Sequence, residues 1–104
     1  MLDAVKAANA TLIQIMSWKI PGHKGGVSVI ALVNESHIAV HTWTEYRYAT
    51  VDVYTCGEHT NPDAAFRVIV ERLRPEYYTY NYADRTQFPA SSPVIKEEQA
   101  VVAR

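Results

Sequence analysis

The stretch Val27-Ser-Val-Ile-Ala-Leu-Val33, broken by Asn34-Glu35-Ser36 and resumed as His37-Ile-Ala-Val-His41-Thr-Trp-Thr44, decides how this chain folds. Its first seven residues are almost continuously apolar. A run that short, rich in β-branched residues, reads as a strand buried on both faces or set centrally in a sheet. His37–Thr44 and Ala49–Cys56 have the Val, Ile, Thr, Trp and Tyr content of two further strands, separated by Glu45-Tyr46-Arg47. In the second of these, Val51, Val53 and Thr55 face one way and Asp52, Tyr54 and Cys56 the other, because side chains alternate along a strand.

On the N-terminal side of this hairpin, Leu2–Ala10 is alanine-rich with Leu2 and Val5 at helical spacing, and reads as a short helix. Thr11–Trp18 alternates apolar with polar residues and reads as a strand, ended by Pro21-Gly22-His23-Lys24-Gly25-Gly26. On the C-terminal side, Asn61-Pro62-Asp63 supplies an N-cap, a proline at the first helical position and a first-turn acid. The helix that follows carries Phe66, Ile69, Val70 and Leu73 on one stripe and stops at Pro75. Tyr77–Tyr82 reads as a last strand, and residues 86–104, with their Pro, Ser and charged side chains, as a flexible tail. The expected fold is α+β, a two-layer α/β sandwich with an antiparallel-rich sheet and two helices on one face, formed as a single domain by residues 1–85.

Composition bounds the function. The chain has 104 residues, 48% of them apolar, so it can bury one modest core and is expected to be helped by a partner subunit. A net charge of -1, from 10 basic and 11 acidic residues, supplies no positive field for a nucleic-acid backbone. Cys56 is the lone cysteine, so no internal disulfide can form. No apolar run reaches the roughly 18 residues of a membrane span, and no cleavable hydrophobic segment opens the chain, so a cytoplasmic address is expected.

The candidate chemistry is Ser36, His37, His41 and Cys56, polar groups set in an apolar frame. A hairpin turn centred on Tyr46 would place Ser36 opposite Cys56, with Cβ atoms about 4.5–5.5 Å apart; a slip of one residue would turn Cys56 to the other face. A metal site is suggested by His37-x3-His41 with Cys56-x2-His59, yet four residues of strand span about 13 Å, too far for two nitrogens on one zinc. No metal is therefore expected. The same ruler separates Ser36 from His41 by about 16 Å, so their cooperation needs a turn or bulge, which Asn34-Glu35-Ser36 permits. Taken singly, Ser36 suits a turn, the histidines and Cys56 suit ordinary packing, and Trp43, Tyr46, Tyr48 and Tyr54 suit a sheet. Asp52 and Glu58 could pair a guanidinium or simply meet water.

Glu35-Ser36-His37, His41-Thr42-Trp43 and Thr55-Cys56-Gly57, taken together, resemble the small pyruvoyl-dependent decarboxylases of polyamine synthesis: the prokaryotic S-adenosylmethionine decarboxylases and their archaeal arginine decarboxylase relatives. The likeness runs from about Thr11 to Asp84. It implies self-cleavage between Glu35 and Ser36, with Ser36 becoming a covalent pyruvoyl group that forms a Schiff base with the substrate. His41 is implied as the proton acceptor in processing, and Ser28, in Gly26-Val27-Ser28, as its helper. Cys56 is implied as the proton donor in decarboxylation and Glu45 as a substrate-binding carboxylate. A homodimer of cleaved αβ protomers is implied as the active form.

Three features depart from the family pattern. Members begin with another strand and helix before the segment that Met1 opens here, so the chain reads as starting at an internal methionine or as lacking that strand. Thr42-Trp43-Thr44-Glu45-Tyr46-Arg47 stands where the adenosylmethionine enzymes have Thr-Trp-Pro-Glu-Tyr-Gly, which implies a reshaped pocket. Finally, Lys24–Val33 and Tyr82-Ala-Asp-Arg85 look most like the arginine branch. The expected reaction is thus L-arginine to agmatine and carbon dioxide, a small cationic amino acid being the substrate. S-adenosylmethionine is the alternative substrate. The reading of another class is a non-catalytic dimeric metabolite-binding module in which Ser36 stays intact.

Overall fold

The computed structural model describes residues 1–22, 26–84 and 95–103. Helix α1 (Leu2–Ala7) leads into strands β1 (Leu12–Lys19), β2 (Val27–Val33), β3 (Ser36–Trp43) and β4 (Tyr48–Cys56). Helix α2 (Pro62–Leu73) and strands β5 (Tyr77–Asp84) and β6 (Ile95–Ala103) follow. The strands form one sheet ordered β1-β2-β3-β4-β6-β5, every neighbouring pair antiparallel. Both helices pack on one face, as an α+β two-layer sandwich requires.

The core lies between these layers. Ala4, Val5 and Ala8 at α1 and Ala65, Phe66 and Ile69 of α2 meet Ala31, Val33, Ile38, Ala49, Val51 and Val53 of the sheet. In β4 the alternation is regular: Ala49, Val51, Val53 and Thr55 are buried, while Tyr48, Thr50, Asp52, Tyr54 and Cys56 are only partly so. Among the described residues, no helix packs on the opposite face of the sheet. For that reason β2 is not buried on both faces: Leu32, whose neighbours Ala31 and Val33 are buried, is 41% exposed.

Local signals explain the helix boundaries. Asn61 Oδ1 accepts the Ala64 N–H at 3.1 Å and Pro62 occupies the first turn, so α2 starts where its cap permits. It ends on Arg74, whose φ of 49° breaks the helical path while its N–H still donates to the Val70 carbonyl at 2.9 Å. α1 stops sooner than composition suggests, because Asn9 adopts φ 57°, a left-handed conformation that asparagine tolerates.

Two sequence expectations need correction. The tail expected over 86–104 is a strand over Ile95–Ala103, which pairs with β4 on one side and β5 on the other. Residues 85–94 lie outside the described residues, as do His23, Lys24 and Gly25 of the expected loop after β1. The β3–β4 register also differs by one. His37 pairs with Tyr54 and Trp43 with Tyr48, leaving Thr44–Arg47 as a four-residue connection closed by Arg47 N–H to the Thr44 carbonyl at 3.2 Å. Ser36 is therefore level with Thr55, and it is Glu35 that stands across from Cys56.

Candidate functional site

The β2–β3 turn is built from Asn34 and Glu35, with Val33 and Ser36 paired across it. Tight hairpins favour positive φ at the two turn residues, but here the positive φ falls on the next residue, Ser36, at 145°. A residue with a Cβ is strained there. The kink also breaks the alternation of side chains, since Ser36 Oγ lies 3.4 Å from Nδ1 of its own neighbour His37.

Glu35 is held on three sides. Its carboxylate is buried, with Oε1 accepting the Thr11 N–H at 3.0 Å and Oε2 accepting from His59 Nε2 at 2.8 Å. Its backbone carbonyl accepts the Cys56 N–H at 3.0 Å. The Thr11 N–H, with help from His59, keeps the carboxyl below its ordinary range, against the upward push of burial. The carboxylate is thus an ionised, fully engaged anchor beside the peptide that links Glu35 to Ser36.

A second group sits at the other end of the hairpin. His41 Nδ1 and Ser28 Oγ share a hydrogen bond of 3.0 Å, the two residues being direct partners across β2 and β3. The imidazole lies among aromatic rings, 6.1 Å from Trp18 and 6.5 Å from Trp43 by centroids. Trp43 in turn lies 5.3 Å from Tyr48. Glu45 is exposed in the Thr44–Arg47 connection. A cavity of about 560 Å³ opens at this end, lined by Thr42, Trp43, Arg47, Tyr48 and Glu76 among others; neither Ser36 nor Cys56 borders it.

The six site residues read from sequence thus fall into two sets. Glu35, Ser36 and Cys56 come together at one end of the sheet, and Ser28, His41 and Glu45 at the other. β3 pairs with both neighbours without interruption from His37 to His41, so no bulge draws His41 back toward Ser36, and about 16 Å of strand separates them. His37, the other half of the metal-like spacing, stacks on Tyr54 at 5.6 Å. Sequence reading missed the roles of Thr11 and His59, whose contacts with Glu35 span 24 residues each. The signal in the sequence is His59 itself, which stands there only as part of a ligand-like spacing with Cys56.

The family model for S-adenosylmethionine decarboxylase matches residues 1–86. The chain belongs to the S-adenosylmethionine decarboxylase family. Among curated relatives, it is 58% identical over 84 residues to an arginine decarboxylase proenzyme of Ignicoccus hospitalis, a match covering 81% of this chain and 58% of that protein. A protein of the same name from Aeropyrum pernix is 58% identical over 87 residues, covering 84% and 66%. A third, from Hyperthermus butylicus, is 55% identical over 89 residues, covering 86% and 63%. This member of the family therefore spans about three fifths of the length of these relatives. No solved structure matches the chain. Among the described residues, no helix is long and apolar enough to cross a membrane.

Proposed function

We propose that this chain is a self-processing, pyruvoyl-dependent decarboxylase of polyamine synthesis that releases carbon dioxide from L-arginine and leaves agmatine, acting in the cytoplasm. The observation that carries the reading is the Glu35–Ser36 peptide. Its carbonyl is hydrogen-bonded by the Cys56 N–H, and its serine is strained at φ 145°. In the first step the Ser36 hydroxyl adds to the Glu35 carbonyl carbon, the C–N bond breaks, and an ester and a free amine result. The Cys56 N–H stabilises the charge that develops on the carbonyl oxygen. A base then removes the α-proton of residue 36, the Cβ–Oγ bond breaks as Glu35 leaves as a carboxylate, and water displaces ammonia at the α-carbon. Breaking the C–N bond between Glu35 and Ser36 in the first step releases the backbone torsion that strains residue 36.

The residues fit a pyruvoyl group at position 36, since the first step needs the serine, the preceding carbonyl and a donor to it, and all three meet at this turn. Such a group supplies an electrophilic carbonyl for a substrate amine and takes up the electrons left when carbon dioxide departs. Cys56, level with Glu35, then delivers a proton from Sγ. Arginine is favoured over S-adenosylmethionine by the names of the relatives and by Asp52 and Tyr54, an acid and a ring on the uncovered face that suit a guanidinium.

The base is assigned to His41, oriented by Ser28, and supplied by a second copy, because within one chain it stands at the far end of the strand. Glu45 arrives with it. Denaturing mass spectrometry tests the first step: freshly purified protein should give a Met1–Glu35 fragment and a second fragment beginning at residue 36 with a blocked N-terminus. A single uncut chain would return the protein to the metabolite-binding class. Carbon dioxide release from arginine, but not from S-adenosylmethionine, tests the substrate.

A further inference from the structure

We infer that His59 is a positioning residue for scission of the Glu35–Ser36 bond, an inference that rests on the self-processing reading. Cys56 ends β4 and His59 lies in the loop that follows it, and together they grip residue 35 twice: Cys56 N–H holds the carbonyl at 3.0 Å and His59 Nε2 holds carboxylate Oε2 at 2.8 Å. Thr11 N–H closes the grip at Oε1. With both its backbone oxygen and its side chain fixed, the Glu35 peptide cannot swing its carbonyl away from the Ser36 hydroxyl.

The loop is shaped for this contact. Gly57 has φ 95°, and a Cβ there would lie 2.8 Å from Cε1 and 2.9 Å from Nδ1 of His59, so glycine is what lets the ring fold back over the loop toward Glu35. The backbone of His59 is tied in place as well, its carbonyl accepting from Asn9 Nδ2 at 2.9 Å. The imidazole is not core packing, for its side chain is 55% exposed while the carboxylate it meets is only 8% exposed. A hydrogen bond that secures a buried carboxylate next to a strained, reacting peptide acts on the geometry of attack, where a shift of about 1 Å can cost about a hundredfold in rate.

The test follows cleavage in freshly made full-length chain by denaturing mass spectrometry. His59→Ala should slow cleavage about ten- to a hundredfold. His59→Gln, which carries an N–H donor at similar reach, should restore the rate to within about threefold of wild type, and His59→Asn, too short to reach Oε2, should not. Melting curves of the same three variants in an uncleavable Ser36→Ala background separate rate from folding. Restoration by Gln but not by Asn, at similar melting midpoints for the two, supports the inference. Wild-type rates in His59→Ala, or equal loss in Gln and Asn, overturn it. If wild-type chain is itself never cut, it is the self-processing reading that fails.

Discussion

At Ser36 the backbone takes a φ of 145°, a conformation open to glycine and costly, by about 1–3 kcal/mol, to a residue with a Cβ. The surrounding contacts must over-determine it, and the three bonds on Glu35 do so from the preceding residue. Replacing Ser36 separates strain from chemistry. Ser36→Ala and Ser36→Gly should both abolish cleavage, but the glycine variant should be the more stable by about 1 kcal/mol after its extra unfolded-state entropy, a rise of about 4–8 °C in melting midpoint. Equal midpoints would show that the site stores no strain. Glu35 gives a second prediction, in pH. Its folded-state carboxyl is held below the ordinary value of 4.5, so the stability it contributes is fully present above that value and is lost as pH falls through the lower, folded-state one. In the uncleavable Ser36→Ala background, Glu35→Gln should lower the melting midpoint at neutral pH and flatten its decline below about pH 4.5 relative to the parent. A parallel decline in both would mean the carboxylate is not the acid-sensitive anchor.

Elements were legible in the sequence wherever their own residues dictate them. The β-branched and aromatic runs of β2, β3 and β4 and the capped, striped helix α2 form from local chemistry, and their bounds follow it. Register was not legible, because it depends on whether the Thr44–Arg47 connection holds an even or odd number of residues, and Arg47 closes it at φ 50° without a glycine to mark the place. β6 was missed for a related reason. Lys96-Glu97-Glu98-Gln99 has no apolar alternation, and its strand state comes from two neighbours whose ladders it completes. The approach of β2 to β3 is set by Gly26, where a Cβ would fall 1.9 Å from the Thr42 carbonyl oxygen. Beside it, Thr42 Oγ1 accepts the Val27 N–H at 2.8 Å and donates to the Val27 carbonyl at 2.7 Å. Because the obstacle is backbone, Gly26→Ala should part the strands at this end and cost about 1–3 kcal/mol. Thermal unfolding should show the loss, with faster amide exchange at Val27; an unchanged midpoint would mean the strand ends are not closely held.

At the scale of the whole molecule, the described residues place helices on one face of the sheet and leave the other without them. Met16, Trp18 and Leu32 on the uncovered face are each more than 40% exposed, Trp18 beside His41 and Leu32 level with His37 toward the other end. Apolar surface of this kind on a small protein marks a contact region. Its position bears on the separation of the two residue sets, since pairing of copies through this face by a two-fold axis running across the strands would bring the Ser28–His41 end of one against the Glu35–Ser36–Cys56 end of the other. Complementation tests that arrangement. Ser36→Ala lacks the hydroxyl and His41→Ala lacks the proposed base, so neither chain should be cut when made alone. Made together, they should form mixed dimers in which one of the two sites has an intact Ser36 from the His41→Ala chain and an intact His41 from its partner. About half of the His41→Ala chains should then be cleaved, and none of the Ser36→Ala chains, given random pairing of equal amounts of the two. Mass spectrometry distinguishes the fragments, because those starting at residue 36 derive only from the His41→Ala chain. Cleavage of His41→Ala alone would remove His41 as the base, and absence of cleavage in the mixture would place the base within the chain it serves.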